Sequence, residues 1–342
     1  MQHYDHGGDI YANPEVTLDF SVSVNPLGMP EEVRHAIIAH VDDYVHYPDP
    51  FCRRLRQAIA AHEGVEEEAV LCGNGAADLI YRLCLALAPR KALVCAPTFS
   101  EYERALEHVG CEVAHHDLRL EDDFQLTDAL CDSLVPGIDV LFLCNPNNPT
   151  GLLAPEGVLQ GILERAALNG TRVVVDECFL DFTTGASVKG FLERMPGLVV
   201  LKAFTKSYAM AGLRLGYLLT SDQELLESVS DAAQCWSVSV PAQVAGIAAL
   251  TCEGWMEKTR RFVAQERSFL SEGLTALGLK VFPSDANYLL VRSEASLYEP
   301  LLEKGILIRS CANFKGLDAT YCRIGVKAHD QNVRLLEALR LC

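Results

Sequence analysis

The stretch LVVLKAFTKSYAMAGLRLGYLL (residues 198–219) decides the reading of this chain. It opens and closes on apolar runs with no polar alternation, read as strands over 199–202 and 215–219. Such runs suit strands covered on both faces, as in a mostly parallel sheet between helix layers. Lys206 stands just past the first run, and Arg214 lies eight residues on, just before the second. An amine in a partly desolvated pocket has a lowered pKa and becomes a usable nucleophile toward carbonyl carbon. An arginine nearby can hold a phosphate with paired N–H donors. A lone lysine of this kind is more often a solvated surface residue, so its flanks must carry the case.

Working toward the N-terminus, RVVVDECFLDF (172–182) places Asp176 at the end of another buried run. A carboxylate there is costly unless paired, and a protonated ring nitrogen or a core cation would satisfy it. NPNNPTG (145–151) follows the run VLFLC. Its prolines stiffen the loop, which suits a side-chain amide aimed at a ligand beyond a strand end. CGNGAADLI (72–80) is a strand–turn–helix junction. The amides of Gly75, Ala76 and Ala77 would open a helix there, and a helix N-terminus favours phosphate. Each motif alone has an ordinary structural explanation as a turn, cap or surface position. Their order along one α/β pattern is the signal: an anion-binding turn, an Asn loop, a strand-end Asp, then a Lys and an Arg.

The wider pattern agrees. Short apolar runs at 69–72, 92–95, 112–115, 140–144 and 172–175 alternate with helical stretches at 76–88, 101–109 and 156–168. That alternation is the α/β signature. After about Val240 the texture changes to a long helical stretch, 243–277, then strands at 287–292, 306–310 and 321–326 and a helix at 330–341. At 342 residues the chain exceeds one small domain. We expect a large domain over 46–240, and a smaller one combining 1–45 with 241–342. Pro30, Glu31 and Glu32 open a helix in the N-terminal part.

Net charge is −17, so the long-range field repels polyanions. Neither nucleic acid nor anionic membrane is an expected partner, and an anionic ligand would need a local basic site. The 13 cysteines include no CxxC pair. Reduced, mostly buried thiols are expected, with no metal. The first residues have neither a basic leader nor an apolar core, and no apolar run nears the ~20 residues of a membrane helix. A cytoplasmic protein is expected.

With these motifs in order, the chain resembles the class I/II aminotransferase family of fold-type I pyridoxal-phosphate (PLP) enzymes over essentially its whole length. The resemblance implies the aspartate-aminotransferase fold, a PLP-dependent transferase architecture with a mostly parallel central sheet and a smaller α/β domain. It implies that Lys206 carries the cofactor as a Schiff base and that Asp176 keeps the pyridine nitrogen protonated. Gly75, Ala76, Ala77, Thr205 and Arg214 match the residues that hold the phosphate. Phe99, in APTF, matches the ring-stacking aromatic, and Asn148 the residue that bonds the ring hydroxyl oxygen. Tyr47, in HYPDP, matches a tyrosine that reaches the neighbouring subunit's cofactor phosphate, so a homodimer is implied. Arg323, in YCRIGV, matches the arginine that grips the substrate carboxylate. The pattern departs at Phe179, where many members have Tyr, and at Ala203, where many place a hydroxyl.

Two branches of the family fit, one acting on histidinol phosphate by transamination, the other removing CO2 from L-threonine O-3-phosphate in cobalamin assembly. The decarboxylating branch is the better match of the two, on HGG (6–8), DFSVSVNPLGMP (19–30), DECFLDF, CWSVS (235–239), ANYLL and above all ILIRSCANFKGLD (306–318). Asp9 departs from it, since HGGN is common there. Both imply a small phosphorylated substrate, with Arg323, Arg309 and His6 as candidate donors and Asn25 near the carboxylate. A non-catalytic PLP-binding regulator is a remote alternative, since no helix-turn-helix region is spare.

Overall fold

A computed structural model describes residues 6–341. The chain begins with β1 (Leu18–Asp19), α1 (Glu31–Ala39) and α2 (Arg53–Glu63). An alternating block follows: β2 (Val70–Gly73), α3 (Ala76–Leu87), β3 (Lys91–Ala96), α4 (Glu101–His108), β4 (Glu112–Asp117), α5 (Leu130–Ser133), β5 (Val140–Cys144), α6 (Glu156–Asn169), β6 (Arg172–Asp176), β7 (Leu198–Ala203), α7 (Phe204–Ser207), β8 (Gly216–Leu219) and α8 (Gln223–Asp231). The remainder holds α9 (Val240–Leu250), α10 (Trp255–Ala276), β9 (Lys280–Val281), β10 (Tyr288–Arg292), α11 (Tyr298–Leu302), β11 (Ile306–Leu307), β12 (Arg309–Ser310), β13 (Tyr321–Gly325) and α12 (His329–Leu339).

Strands β2 to β8 form one seven-stranded sheet in the order β2-β8-β7-β6-β5-β3-β4. β8 runs antiparallel to both neighbours and the other six are mutually parallel. Alternate residues of one strand serve opposite cores, which is why the runs carry no polar alternation. Leu141 and Leu143 pack with α2, α6 and α9, while Val140 and Phe142 pack with α3, α4 and α8. A second, antiparallel sheet has the order β12-β13-β10-β9. Its core gathers Leu289 and Ile324 against Leu270 and Leu274 of α10 and Leu335 of α12.

Two expectations need correction. The stretch 243–277 is two helices, because the chain turns at Gly254, whose φ of +68° no helix can continue. ILIRS is not one strand. Ile306–Leu307 pairs in parallel with Leu18–Asp19, whereas Arg309–Ser310 pairs with β13. That handover joins the N-terminal segment to the C-terminal sheet, and α1 packs on α9.

The motifs sit where such folds place ligands, beyond the carboxyl ends of the parallel strands. β2 leads into Gly75, β3 into Phe99, β5 into Asn148, β6 ends on Asp176, and β7 leads into Lys206.

Candidate active site

A cavity of about 550 Å³ opens at these strand ends. Its lining brings together Ala76, Ala77, Phe99, Asn148, Asp176, Thr205, Lys206 and Arg214 from the large-sheet region with Arg309 and Arg323 from the small sheet and His6 from the N-terminal segment. Residues scattered over more than 300 positions thus converge on one space.

At its base, Gly75 caps α3 with φ +87°, a conformation that side-chain-bearing residues rarely adopt. A Cβ built there would lie 2.6 Å from Arg214 Nη2. The guanidinium therefore leans directly over the amide-rich turn, and buried Thr205 adds a hydroxyl. The opening amides of α3, the helix dipole and a cation make an anion seat.

Asp176 is buried and accepts two hydrogen bonds. Tyr102 O–H donates to Oδ2 at 2.7 Å and the Cys178 amide to Oδ1 at 2.9 Å. Two of about four acceptor positions remain for a ring N–H in the cavity. Phe99 forms a wall, braced edge-on by Tyr102 at 5.5 Å between centroids.

Lys206 lies among cations and apolar surface. Burial chiefly, then Arg323 and also Arg214, lower its amine to about 8. Its Nζ stands 5.8 Å from the Phe179 ring centroid, and Phe179 packs edge-on against Tyr288 at 4.9 Å. Its turn is fastened from behind. The Asn25 amide donates to Lys206 O at 2.9 Å, and Trp255 Nε1 to Ser207 O at 3.1 Å. Ser207 Oγ donates to Asp181 at 2.6 Å. The amine is thus both depressed and aimed.

Arg323 Nη1 donates to Asn148 Oδ1 at 2.6 Å, and Nη2 to Ser21 O at 2.8 Å. With its carbonyl oxygen taken, Asn148 keeps its NH2 donors for a cavity ligand. Arg323 Nε is buried with no partner. A buried donor left unpaired costs about 1–3 kcal/mol, which an anionic ligand in the cavity would recover.

One expected residue is placed differently. Asn25 does not line the cavity. Its Nδ2 donates to Ser207 O at 2.7 Å and to Thr259 Oγ1 at 2.9 Å, and its Oδ1 accepts from the Leu27 amide. With its polar atoms engaged it positions the Lys206 turn rather than contacting substrate. Tyr47, expected to act on a neighbouring subunit's site, is 79% exposed and stacked on Trp236 at 4.5 Å. Arg309 does face the cavity, donating to Ser310 O and Asn313 Oδ1. His6 pairs with Glu101 at 2.8 Å. Sequence reasoning missed Tyr102 and Glu101. Tyr102 stands three residues after Phe99 at a helix start, a spacing that puts both on one face. Nothing in the sequence marked Glu101.

The twelve cysteines at described positions are free thiols. Among the described residues no His, Cys, Asp or Glu cluster could hold a metal, and no helix is long and apolar enough to cross a membrane.

The geometry fits PLP group by group: an anion seat for its phosphate, a carboxylate for its ring nitrogen, an amide for its ring oxygen and a depressed amine for its aldehyde. Comparison with known proteins agrees. Residues 15–339 match the model of the family described as aminotransferase class I and II. A threonine-phosphate decarboxylase of Salmonella typhimurium is 41% identical over 98% of this chain and 95% of its own. The crystal structure of L-threonine-O-3-phosphate decarboxylase from Porphyromonas gingivalis superposes with a TM-score of 0.85 at 27% identity, covering 95% of this chain and 98% of that one. The histidinol-phosphate aminotransferase from Clostridium acetobutylicum superposes with a TM-score of 0.88 at 29% identity, covering 94% and 98%. With fold and relatives in agreement, the chain belongs to the aminotransferase class I and II family, and its cofactor is pyridoxal phosphate.

Proposed function

We propose that the protein decarboxylates L-threonine O-3-phosphate to 1-aminopropan-2-ol phosphate, in the cytoplasm, as a step of cobalamin assembly. The observation that carries this reading is the 41% identity to a threonine-phosphate decarboxylase across nearly the whole chain. The cavity is consistent with it, since beyond the cofactor's own partners it has two cationic stations. Arg323 forms one and Arg309 the other, with His6 also on the lining. Threonine phosphate has two anionic groups to match them, a carboxylate and a phosphate. Histidinol phosphate has one.

When bound, the cofactor supplies an electron-accepting ring that stabilises the charge left on Cα. The chain's own residues determine the rest. Asp176 would face the ring nitrogen and favour its protonated form. Arg323, held by Asn148, would fix the substrate's carboxylate, and orientation selects which Cα bond breaks. Lys206 Nζ, with its pKa near 8, is suited to deliver a proton to the carbon that loses CO2. The second reading, transamination of histidinol phosphate, draws on the structural likeness to that aminotransferase. Steady-state kinetics with both substrates separate them. The proposal expects turnover of threonine phosphate without accumulation of pyridoxamine phosphate; accumulation with histidinol phosphate would replace it with the second reading.

The domain division at 46–240 against 1–45 with 241–342 is proposed on the same footing, supported by the β1–β11 pairing. We also propose a homodimer in which Tyr47 reaches the second copy's cofactor phosphate. Val45, Tyr47 and Phe51, close in sequence, are each exposed. Sedimentation is expected to give a dimer, and Tyr47→Ala to weaken cofactor retention; an active monomer would refute it. At the phosphate seat, Gly75→Ala is expected to weaken cofactor binding by a factor of ten or more. It forces a side chain to φ +87° and against Arg214, a strain of roughly 1–3 kcal/mol. Spectrophotometric titration of the apoprotein with PLP measures it.

A further inference from the structure

The first turn of α4 contacts both segments that approach the cavity from outside the large sheet. Glu101 pairs with His6, and also accepts from Tyr81 at 3.1 Å and Arg104 at 3.1 Å. Two residues on, Glu103 lies 3.0 Å from His115 Nε2. His115 is on β4, the edge strand of the large sheet, in register with Val94 of β3. Lys315 Nζ lies 2.9 Å from His115 Nδ1. The same Nζ lies 3.3 Å from His115 Nε2, so the ammonium meets both ring nitrogens. The three side chains form a relay of contacts from Lys315 through His115 to Glu103.

Lys315 belongs to the loop that follows β12, and its neighbours in that loop face the site. Phe314 and Arg309 both line the cavity, and the Arg309 guanidinium lies 5.1 Å from the Phe314 ring centroid. Phe314 also lines a small crevice with Glu103, His115 and Lys315, so its ring separates the relay from the cavity. The loop's inward side shapes the site, and its outward side is tied to the large sheet 200 residues away in sequence.

We propose that Glu103 and His115 are positioning residues for the reaction. By holding Lys315 they dock the 309–318 loop on α4 and so set Arg309 and Phe314 against the substrate's phosphate end. This rests on the proposed phosphorylated substrate only in naming what Arg309 meets; the docking itself is independent of substrate.

The test uses the PLP-loaded full chain with His115→Ala, Glu103→Ala and His115→Gln. Glutamine carries an acceptor and a donor and does not titrate, so it can rebuild the relay. For both alanine variants KM for L-threonine O-3-phosphate is expected to rise roughly two- to five-fold, the range of an exposed ion pair, with kcat and the cofactor spectrum little changed. Trypsin is expected to cut after Lys315 correspondingly faster, because that cut requires the loop to leave α4. His115→Gln is expected to restore both readouts toward the parent. Unchanged KM and unchanged cleavage in both alanine variants would overturn the proposal, as would a fall in kcat alone. If the parent does not turn over threonine phosphate, the decarboxylase reading fails while the cleavage rates still decide the docking.

Discussion

Lys206→Ala is expected to lower turnover by roughly 10⁴-fold or more, because it removes the amine that holds the cofactor and moves the proton. Lys206→Arg should do no better, since a guanidinium keeps the charge but is not a nucleophile. Both variants should also lose the visible absorbance of the lysine-bound cofactor, so the defect can be separated from misfolding. Retained turnover in either would sink the assignment. The same lysine gives a pH prediction. Its amine is lowered to about 8 by burial and by Arg323 and Arg214. Only the neutral amine attacks, so capture of PLP by the apoprotein should rise about tenfold per pH unit and level off near pH 8. A solvent-exposed lysine would show continued acceleration toward pH ~10.4. Stopped-flow absorbance distinguishes the two curves.

The second large effect lies behind the site, on stability. Glu63, at the end of α2, is buried and accepts from Lys189 at 2.6 Å and Lys202 at 2.9 Å, with Tyr217 O–H at 2.5 Å. Burial alone would raise its carboxyl, but Lys202, Lys189 and Tyr217 outweigh that and hold it at about 2. Lys202 responds in kind: burial opposes its charge, Asp181 and Glu63 favour it, and it stands at about 12. Removing one partner strands a buried charge, which costs about 3–5 kcal/mol. Glu63→Gln should therefore lower the thermal midpoint on the order of 10 °C. The double change Glu63→Leu with Lys202→Met should recover much of the loss, because no buried lysine is then left unpaired. A Glu63→Gln protein as stable as the parent would contradict this account. The sign with pH follows from linkage. Glu63 is depressed in the folded state, so its contribution is present above about 4.5 and is lost as pH falls toward 2. Neighbouring Glu177 is raised by burial to about 7. Below 4.5 it is protonated in both folded and unfolded chains, so it does not vary across that window. Acid unfolding of Glu63→Gln should accordingly lack that slope.

Much of this was legible in the sequence because it was local. Unbroken aliphatic runs marked the strands of the large sheet, and Gly75, Asn148, Asp176 and Lys206 were readable because each lies within a few residues of a strand end. Arg323 needed the family pattern, since its strand, YCRIG, lies in the second sheet and meets Asn148 only after folding. What stayed hidden depends on long-range geometry. Asn25 resembled a substrate contact, yet its amide is used by Ser207 O and Thr259, partners 182 and 234 residues away. Tyr102 donates to Asp176 across 74 residues. Glu63 and Lys202 are 139 residues apart, and Glu63 reads in sequence as an ordinary surface carboxylate at a helix end. The break at Gly254 was missed because amphipathic residues continue on both sides of it, and period alone does not register a left-handed turn.

The central claim is a choice between two fates of one substrate carbon, so the most direct measurement follows that carbon. PLP-loaded protein is incubated with L-threonine O-3-phosphate labelled at its carboxyl carbon, and released CO2, aminopropanol phosphate and pyridoxamine phosphate are quantified together. The account predicts labelled CO2 and aminopropanol phosphate in equal amounts, with the cofactor returned unchanged. Label retained in a keto acid, with pyridoxamine phosphate formed in its place, would contradict it.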